Sequence, residues 1–373
     1  MMKNTILKSF RVKNFKQFKE LFLDFSNVRD YSYSEDCLSA DRKFIKSLLV
    51  YGPNASGKSN LGYAIFDVMH HLADVSTDSL AYQYYLRADS IKNYADFEYT
   101  FNIHGQYVEY IYSKKDYKTL IKEKLIINKK CVFEWDLING TLAFDGIKDF
   151  GFESLNTQIQ IGSISFLRYM VNNSPRLKYN LIFELMDFIL GMLWFRRTDN
   201  GNSFIGTLSN THIDEYIIKH GLVEELEKFL NQNEVNEKLS VMQLPDGSEK
   251  IYFKHKQLLP MFITASSGTL ALSIFFYWMQ FKNKSSFVFI DEFDAFYHFS
   301  VADNILKYLR KLPIQSIVTT HNTNLLKTKY VRPDCCFLLD GSAQLKSLAD
   351  RTQREIRQGN NLEKLYIYGE FND

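Results

Sequence analysis

The stretch 48-LLVYGPNASGKSN-60 decides the fold. It predicts an apolar strand over Ser47–Tyr51, a glycine-bracketed loop, and a helix from about Lys58 to Ala73. The loop residues Gly52, Pro53, Asn54, Ala55, Ser56, Gly57, Lys58 and Ser59 fit G-x-x-x-x-G-K-[ST] at every position, and Asn60 follows in the first helical turn. Each residue type has a physical task. Glycines let the backbone curl until successive N–H groups converge on phosphate oxygens. The helix that follows turns its positive end to the same point. A lysine at position 58 reaches the β and γ phosphates, and a serine at 59 supplies a hydroxyl ligand to Mg²⁺.

Composition sets the frame for that motif. The chain has 373 residues, enough for one large domain or two ordinary ones. Hydrophobic residues make up 46% and charged residues 24%, with an aromatic content of 15%, so a disordered chain is excluded. A net charge of +2 neither demands nucleic acid nor excludes a local basic patch. The four cysteines, Cys37, Cys131, Cys335 and Cys336, form no C-x-x-C or Cys/His zinc spacing. The pair Cys335-Cys336 opens the apolar stretch CCFLL and reads as buried strand. The opening residues lack the apolar core of a signal peptide, and no run approaches the ~20 apolar residues of a membrane helix. The expectation is a cytoplasmic protein without membrane contact.

Residues 5–25 alternate apolar and polar around Asn14-Phe15-Lys16, as two strands and a turn. Residues 26–43 are polar and tyrosine-rich and read as loop. Residues 95–148 hold five alternating runs separated by turns, the pattern of an antiparallel meander. Residues 172–195 carry apolar positions at helical spacing, from Leu181 to Leu193, and 213–239 read as one or two further helices. From 250 onward, apolar strands alternate with helices, which indicates a parallel sheet covered on both faces. The resulting division is 1–75 and 250–373 as the two halves of one α/β unit, with an antiparallel β subdomain at 76–170 and a helical insertion at 171–249 between them. No sustained heptads or repeats appear.

The second half of the chemistry lies in FVFID, Phe287–Asp291. Four apolar residues end in a carboxylate suited to hold Mg²⁺, directly or through water. Glu292 follows at once, an acid beside the metal ligand and placed to polarise an attacking water. Ser266-Ser267-Gly268-Thr269 precedes an apolar helix, the composition of an N-cap and of an anion site alike. His321 ends the strand SIVTT, either as a loop histidine or as a polar group beside the γ-phosphate.

This order of elements resembles the ABC-type ATPase head, and within it the SMC and RecF class. The resemblance implies an α/β P-loop head with a parallel core sheet, an antiparallel β subdomain and an inserted helical lobe. It implies Ser267 and Gly268 as a reduced signature motif, Asp294 as the D-loop acid, and His321 as the switch histidine. Glu292 and His321 become the catalytic pair, Ser59 and Asp291 the metal ligands, and ATP with Mg²⁺ the cofactors. Asn14-Phe15-Lys16 lies near the nucleotide in that class. Gln158 and Gln160 are candidates for its Q-loop glutamine. The run DEFDAFYH, ending at His298, and the tail REIRQGNNLEKLYIYGEF resemble the RloA-type AAA ATPases, a group related to the PARIS defence ATPase. That narrower likeness implies heads that sandwich ATP as a homodimer or higher oligomer. It also implies a role in bacterial anti-phage defence beside a separately encoded nuclease or toxin. The alternative is a DNA-repair or overcoming-lysogenization-type ATPase acting on DNA. That class usually carries a long coiled coil or a fused nuclease, and the segment after His321 is too short for a Toprim-like domain.

Overall fold

The computed structural model describes residues 5–73, 82–158, 162, 164–198, 201–206, 212–292, 294, 299–327 and 331–372. The N-terminal alternation forms the hairpin β1 (Thr5–Phe15) and β2 (Phe18–Asp24), with Phe10 paired to Leu23 and Val12 to Leu21. Asn14 and Lys16 take positive φ, 58° and 48°, which turns the chain within two residues. The apolar run β3 (Ser47–Tyr51) leads through the phosphate loop into α1 (Lys58–Phe66) and α2 (Met69–Leu72). The five alternating runs become β4 (Ala95–Ile103), β5 (Gln106–Lys114), β6 (Leu120–Ile127), β7 (Lys130–Asp136) and β8 (Thr141–Ala143). They join the hairpin in one antiparallel sheet of order β2-β1-β4-β5-β6-β7-β8.

Helices α3 (Phe166–Asn172) and α4 (Leu181–Leu190) follow, and then β9 (Met192–Thr198) and β10 (Gly201–Ile205). The helix expected to reach residue 195 therefore stops at Leu190, and the expected helical insertion over 171–249 includes a strand of the core. Gly191 explains the break. A Cβ there would lie 2.8 Å from the Lys284 carbonyl, and the Gly191 carbonyl accepts from the Ser286 amide at 3.0 Å. That close approach starts β9 alongside its neighbour. Met192 and Trp194 then bury on one face and Leu193 on the other. Burial on both faces produces a continuous apolar run that periodicity does not separate from helix.

The remainder comprises α5 (Ile213–Lys219), α6 (Val223–Gln232), β11 (Leu239–Gln243), β12 (Glu249–Lys254), β13 (Leu258–Pro260), α7 (Met261–Thr264) and α8 (Ser267–Met279). Then come β14 (Phe287–Ile290), α9 (Phe299–Lys311), β15 (Gln315–Thr320), β16 (Cys336–Leu339), β17 (Leu345–Ser347) and α10 (Leu362–Ile367). The core sheet has the order β10-β9-β14-β15-β3-β16-β17, parallel from β9 through β16 and antiparallel at both edges. The fold is α/β, with a parallel core sheet and antiparallel sheets beside it.

Strand alternation assigns the two cores. Leu48, Val50, Phe287 and Phe289 face the antiparallel sheet and α1–α4. Leu49, Tyr51, Val288 and Ile290 face a second core shared with α5, α6, α8 and α9. Cys336 is buried in β16, and Cys335, also buried, precedes it in a 3₁₀ turn.

A polar network is sealed between α1 and the antiparallel sheet. Asp67, just past α1, accepts from Tyr85 at 2.9 Å, Tyr112 at 2.9 Å and Lys114 at 2.8 Å, and both Asp67 and Lys114 are fully buried. Burial lowers the Lys114 pKa against the pull of Asp67. Among the described residues, no helix is long and apolar enough to cross a membrane.

Candidate functional site

β3 and β14 flank β15, so the C-terminal ends of three adjacent parallel strands converge at one edge of the core sheet. β3 delivers the phosphate loop there, β14 delivers Asp291 and Glu292, and β15 delivers His321. The loop is shaped by close packing. At Gly52 an added Cβ would stand 2.6 Å from both the Leu339 carbonyl and the Ser56 hydroxyl. Gly57 has φ +104°, and a Cβ there would meet the Gln17 amide nitrogen at 2.1 Å. Ala55 also sits at positive φ, 63°, and with Pro53 and Asn54 it forms the exposed rim of the loop. Ser56 is buried, and its hydroxyl has no hydrogen-bond partner among the described residues.

Lys58 is 5% exposed and curls back, donating to the carbonyls of Gly52 at 2.8 Å and Pro53 at 2.9 Å. Burial lowers its pKa, opposed by the carboxylates of Glu292, Asp291 and Asp294. The structure therefore gathers those three acids around the ammonium. Asp291 is 9% exposed, and burial raises its pKa against hydrogen bonds from Ser59 and Thr319. Ser59 thus lies near Asp291, and these are the two residues expected to share a metal ion, although they lie far apart in the chain.

Mg²⁺ prefers hard oxygen donors and keeps several waters. A serine hydroxyl facing a carboxylate, with a lysine and an unpaired buried hydroxyl in the adjoining loop, fits a magnesium–nucleotide group. Ser59 and Asp291 are the residues that would hold the metal. Gly52 through Asn60 would hold the phosphates.

Other expected residues fall in place to differing degrees. Asp294 accepts from the Thr320 hydroxyl at 2.7 Å. His321 follows β15 and is exposed. Ser267 and Gly268 open α8, where Ser266 is the N-cap and accepts from the Thr269 amide at 3.2 Å. The loop and its acids are bonded from the β1–β2 turn, β9 and β15, and Ser267 stands exposed at its own helix start. Gln158 is exposed after the meander, while Gln160 and His298 lie outside the described residues.

Two contributors had no sequence signal of their own. Gln17, in the β1–β2 turn, donates to the Ser56 carbonyl at 2.6 Å and accepts from the Asn60 side chain at 2.6 Å. It clamps the loop from the antiparallel sheet, one residue beyond the Asn14-Phe15-Lys16 turn already expected near the nucleotide. Thr319 is the second. It reads as an ordinary strand residue, yet its hydroxyl donates to Asp291 at 2.7 Å.

A strand, a glycine loop and a helix beside a strand tipped with acids form the candidate site. Residues 205–327 match the family described as AAA domain, putative AbiEii toxin, Type IV TA system. That match spans the acids and His321 but not the phosphate loop. No curated protein sequence matches the chain. Among solved structures, the chain is similar to the Smc head domain with an extended coiled coil from Pyrococcus furiosus, bound to the C-terminal domain of ScpA. That pair shares 14% identity with a TM-score of 0.49, over 99% of this chain and 100% of the other. It is similar also to the recombination mediator protein RecF with ATP, at 15% identity and TM-score 0.41, over 92% of this chain and 99% of that one. An SmcHead bound to the C-winged helix domain of ScpA is similar at 15% identity and TM-score 0.41, over 85% and 89%.

Proposed function

We propose that this protein is a magnesium-dependent ATPase of the ABC head type, and that its nucleotide-dependent assembly is a switch in bacterial anti-phage defence. The observation that carries the ATPase reading is the convergence of Lys58 and Ser59 of the phosphate loop with the buried Asp291 at the end of β14. It brings the hydroxyl and the carboxylate of the motif pair to one point. The family description matched by residues 205–327, with its putative toxin, supports the defence setting.

In this reading the Lys58 ammonium leaves the Gly52 and Pro53 carbonyls for phosphate oxygens. Ser59 and Asp291 would hold the metal, which would supply positive charge against the phosphates. Glu292 takes the proton of the attacking water, and His321 contacts the transferred group. Ser267 and Gly268 of a second copy close the nucleotide from the other side, with Asp294 at the seam. ATP then stabilises the dimer because it binds the closed state better than the open one. The output is a change of contact with a separately encoded nuclease or toxin.

Glu292→Gln tests this directly. It should retain ATP, lose at least ~100-fold in hydrolysis, and accumulate as a dimer in light scattering. Normal turnover by that variant would remove Glu292 from the role of base. Lys58→Ala should lose nucleotide binding in equilibrium titration, and unchanged affinity would sink the loop assignment. Co-purification of the neighbouring gene product with Glu292→Gln in ATP, and not without it, is the expected sign of an effector. Tight, salt-dependent binding to DNA by the isolated protein would instead favour a DNA-directed ATPase.

A further inference from the structure

β15 ends on two consecutive threonines, Thr319 and Thr320, both fully buried. Each hydroxyl donates to one acid and accepts one backbone N–H. Thr319 donates to Asp291 Oδ1 at 2.7 Å and accepts from the Glu292 amide at 2.8 Å. Thr320 donates to Asp294 Oδ1 at 2.7 Å and accepts from the Asn322 amide at 2.9 Å. A threonine in a strand ordinarily needs no such partners, because its hydroxyl satisfies itself on nearby backbone. Here each hydroxyl also donates to an acid just beyond a different strand, β14, while the Asn322 amide that Thr320 accepts is local.

Glu292 adds an independent observation. Its φ is +45°, in the left-handed region that a glutamate enters at a cost. Its amide donates to Thr319 at that turn. One side chain therefore fixes both the carboxylate beside Ser59 and the backbone kink that aims the next acid.

We propose that Thr319 is a positioning residue for the Asp291–Glu292 pair, setting the Asp291 carboxylate for the metal and holding the strained Glu292 backbone. The proposal rests on the magnesium–ATP reading of the site. The Thr319 hydroxyl is bonded to one oxygen of the Asp291 carboxylate, Oδ1. Removing the Thr319 hydroxyl frees it to rotate within the loop and relaxes the kink. Thr320 serves a different acid, so the two threonines are separable by their effects.

The test is the affinity of the full-length protein for fluorescent ADP, measured with saturating Mg²⁺ and again with EDTA, alongside steady-state ATPase assays. Wild type should bind ADP more tightly with Mg²⁺. Thr319→Val should reduce that gain about tenfold, as expected for a hydrogen bond to a charged group. Its affinity in EDTA should stay within about twofold, and its kcat should fall with little change in KM. Thr319→Ser keeps the hydroxyl and should restore the magnesium gain. Thr320→Val should leave that gain intact. Should Thr319→Val fail to fold by thermal melting, Thr319→Ala is read by the same ratio. An undiminished magnesium gain in the folded hydroxyl-free variant overturns the proposal. So does an equal loss in Thr320→Val, which would mean general loosening of β15. A wild type that binds ADP in neither condition overturns the ATP-site reading itself, and this outcome is distinct from the other two.

Discussion

Gln17 shows how much one side chain outside the motif contributes to the phosphate loop. It makes one hydrogen bond to the loop backbone at Ser56 and one to Asn60 in α1. Net hydrogen bonds are worth about 1 kcal/mol each. Gln17→Ala should therefore weaken nucleotide binding roughly tenfold while the melting temperature falls little, and isothermal titration checks it. The change also empties the space that forbids a Cβ at Gly57. Gly57→Ala should be more damaging than Gln17→Ala, because positive φ remains a penalty even when the clash is gone. In a Gln17→Ala background, Gly57→Ala should regain part of its lost affinity. Purely additive losses would mean that the contact between the two residues does not matter. None of this was legible from sequence. The motif states that residue 57 is glycine, but the Gln17 amide that adds a clash to the demand of positive φ comes from another sheet.

At the scale of elements, α1 is fastened at both ends. Its N-terminus meets Gln17 through Asn60, and its C-terminal end meets the antiparallel sheet through Asp67. Asp67 and Lys114 are completely dry, and two tyrosines complete the carboxylate's partners. Breaking a buried ion pair from one side strands a charge and typically costs about 3–5 kcal/mol. Lys114→Met should destabilise by that amount in urea unfolding. Lys114→Met with Asp67→Asn should recover much of it, because the stranded charge is gone. A double variant no more stable than the single one would show that the network acts through shape and not charge. The meander was plain in the sequence because its strands alternate cleanly. The strand β9 was not, because burial on both faces erased the period, and only the close approach at Gly191 shows where helix gives way to strand.

At the scale of the molecule, the C-terminal segment folds back over the end of the core sheet that carries the loop. Tyr366 packs edge-on to Tyr51 at 4.9 Å, and the Glu363 amide donates to the Leu326 carbonyl at 3.0 Å. Arg351 anchors the return, donating to Asp340 at 2.6 Å. Burial pushes the Asp340 carboxyl up, but hydrogen bonds from Ser342, Arg351 and Gln344 outweigh it and bring the pKa down to about 2. A folded pKa below the unfolded value contributes stability above the unfolded pKa and loses it as pH falls through the folded one. The contribution should be whole at pH 7 and vanish between about pH 4 and 2. Asp340→Asn should therefore melt lower than wild type at neutral pH, with the gap closing as pH approaches 2. A gap independent of pH would assign the loss to packing.

The strand before the loop, the loop itself, the apolar strand ending at Asp291 and the two-sided burial of the core strands were all determined by sequence. Each depends on residue type at short spacing, which local chemistry dictates. Tertiary structure alone decided which distant groups meet. The antiparallel sheet supplies Gln17 to the loop, β15 supplies Thr319 to the acids, and Gly191 hands a helix over to the core sheet. These contacts form between residues widely separated in the chain, so their partners are set by packing and hydrogen-bond satisfaction, which no local pattern records. The first stretch, residues 48–60, thus specified a glycine loop between strand and helix, while the groups that hold it in shape and face it with acids came from the rest of the fold.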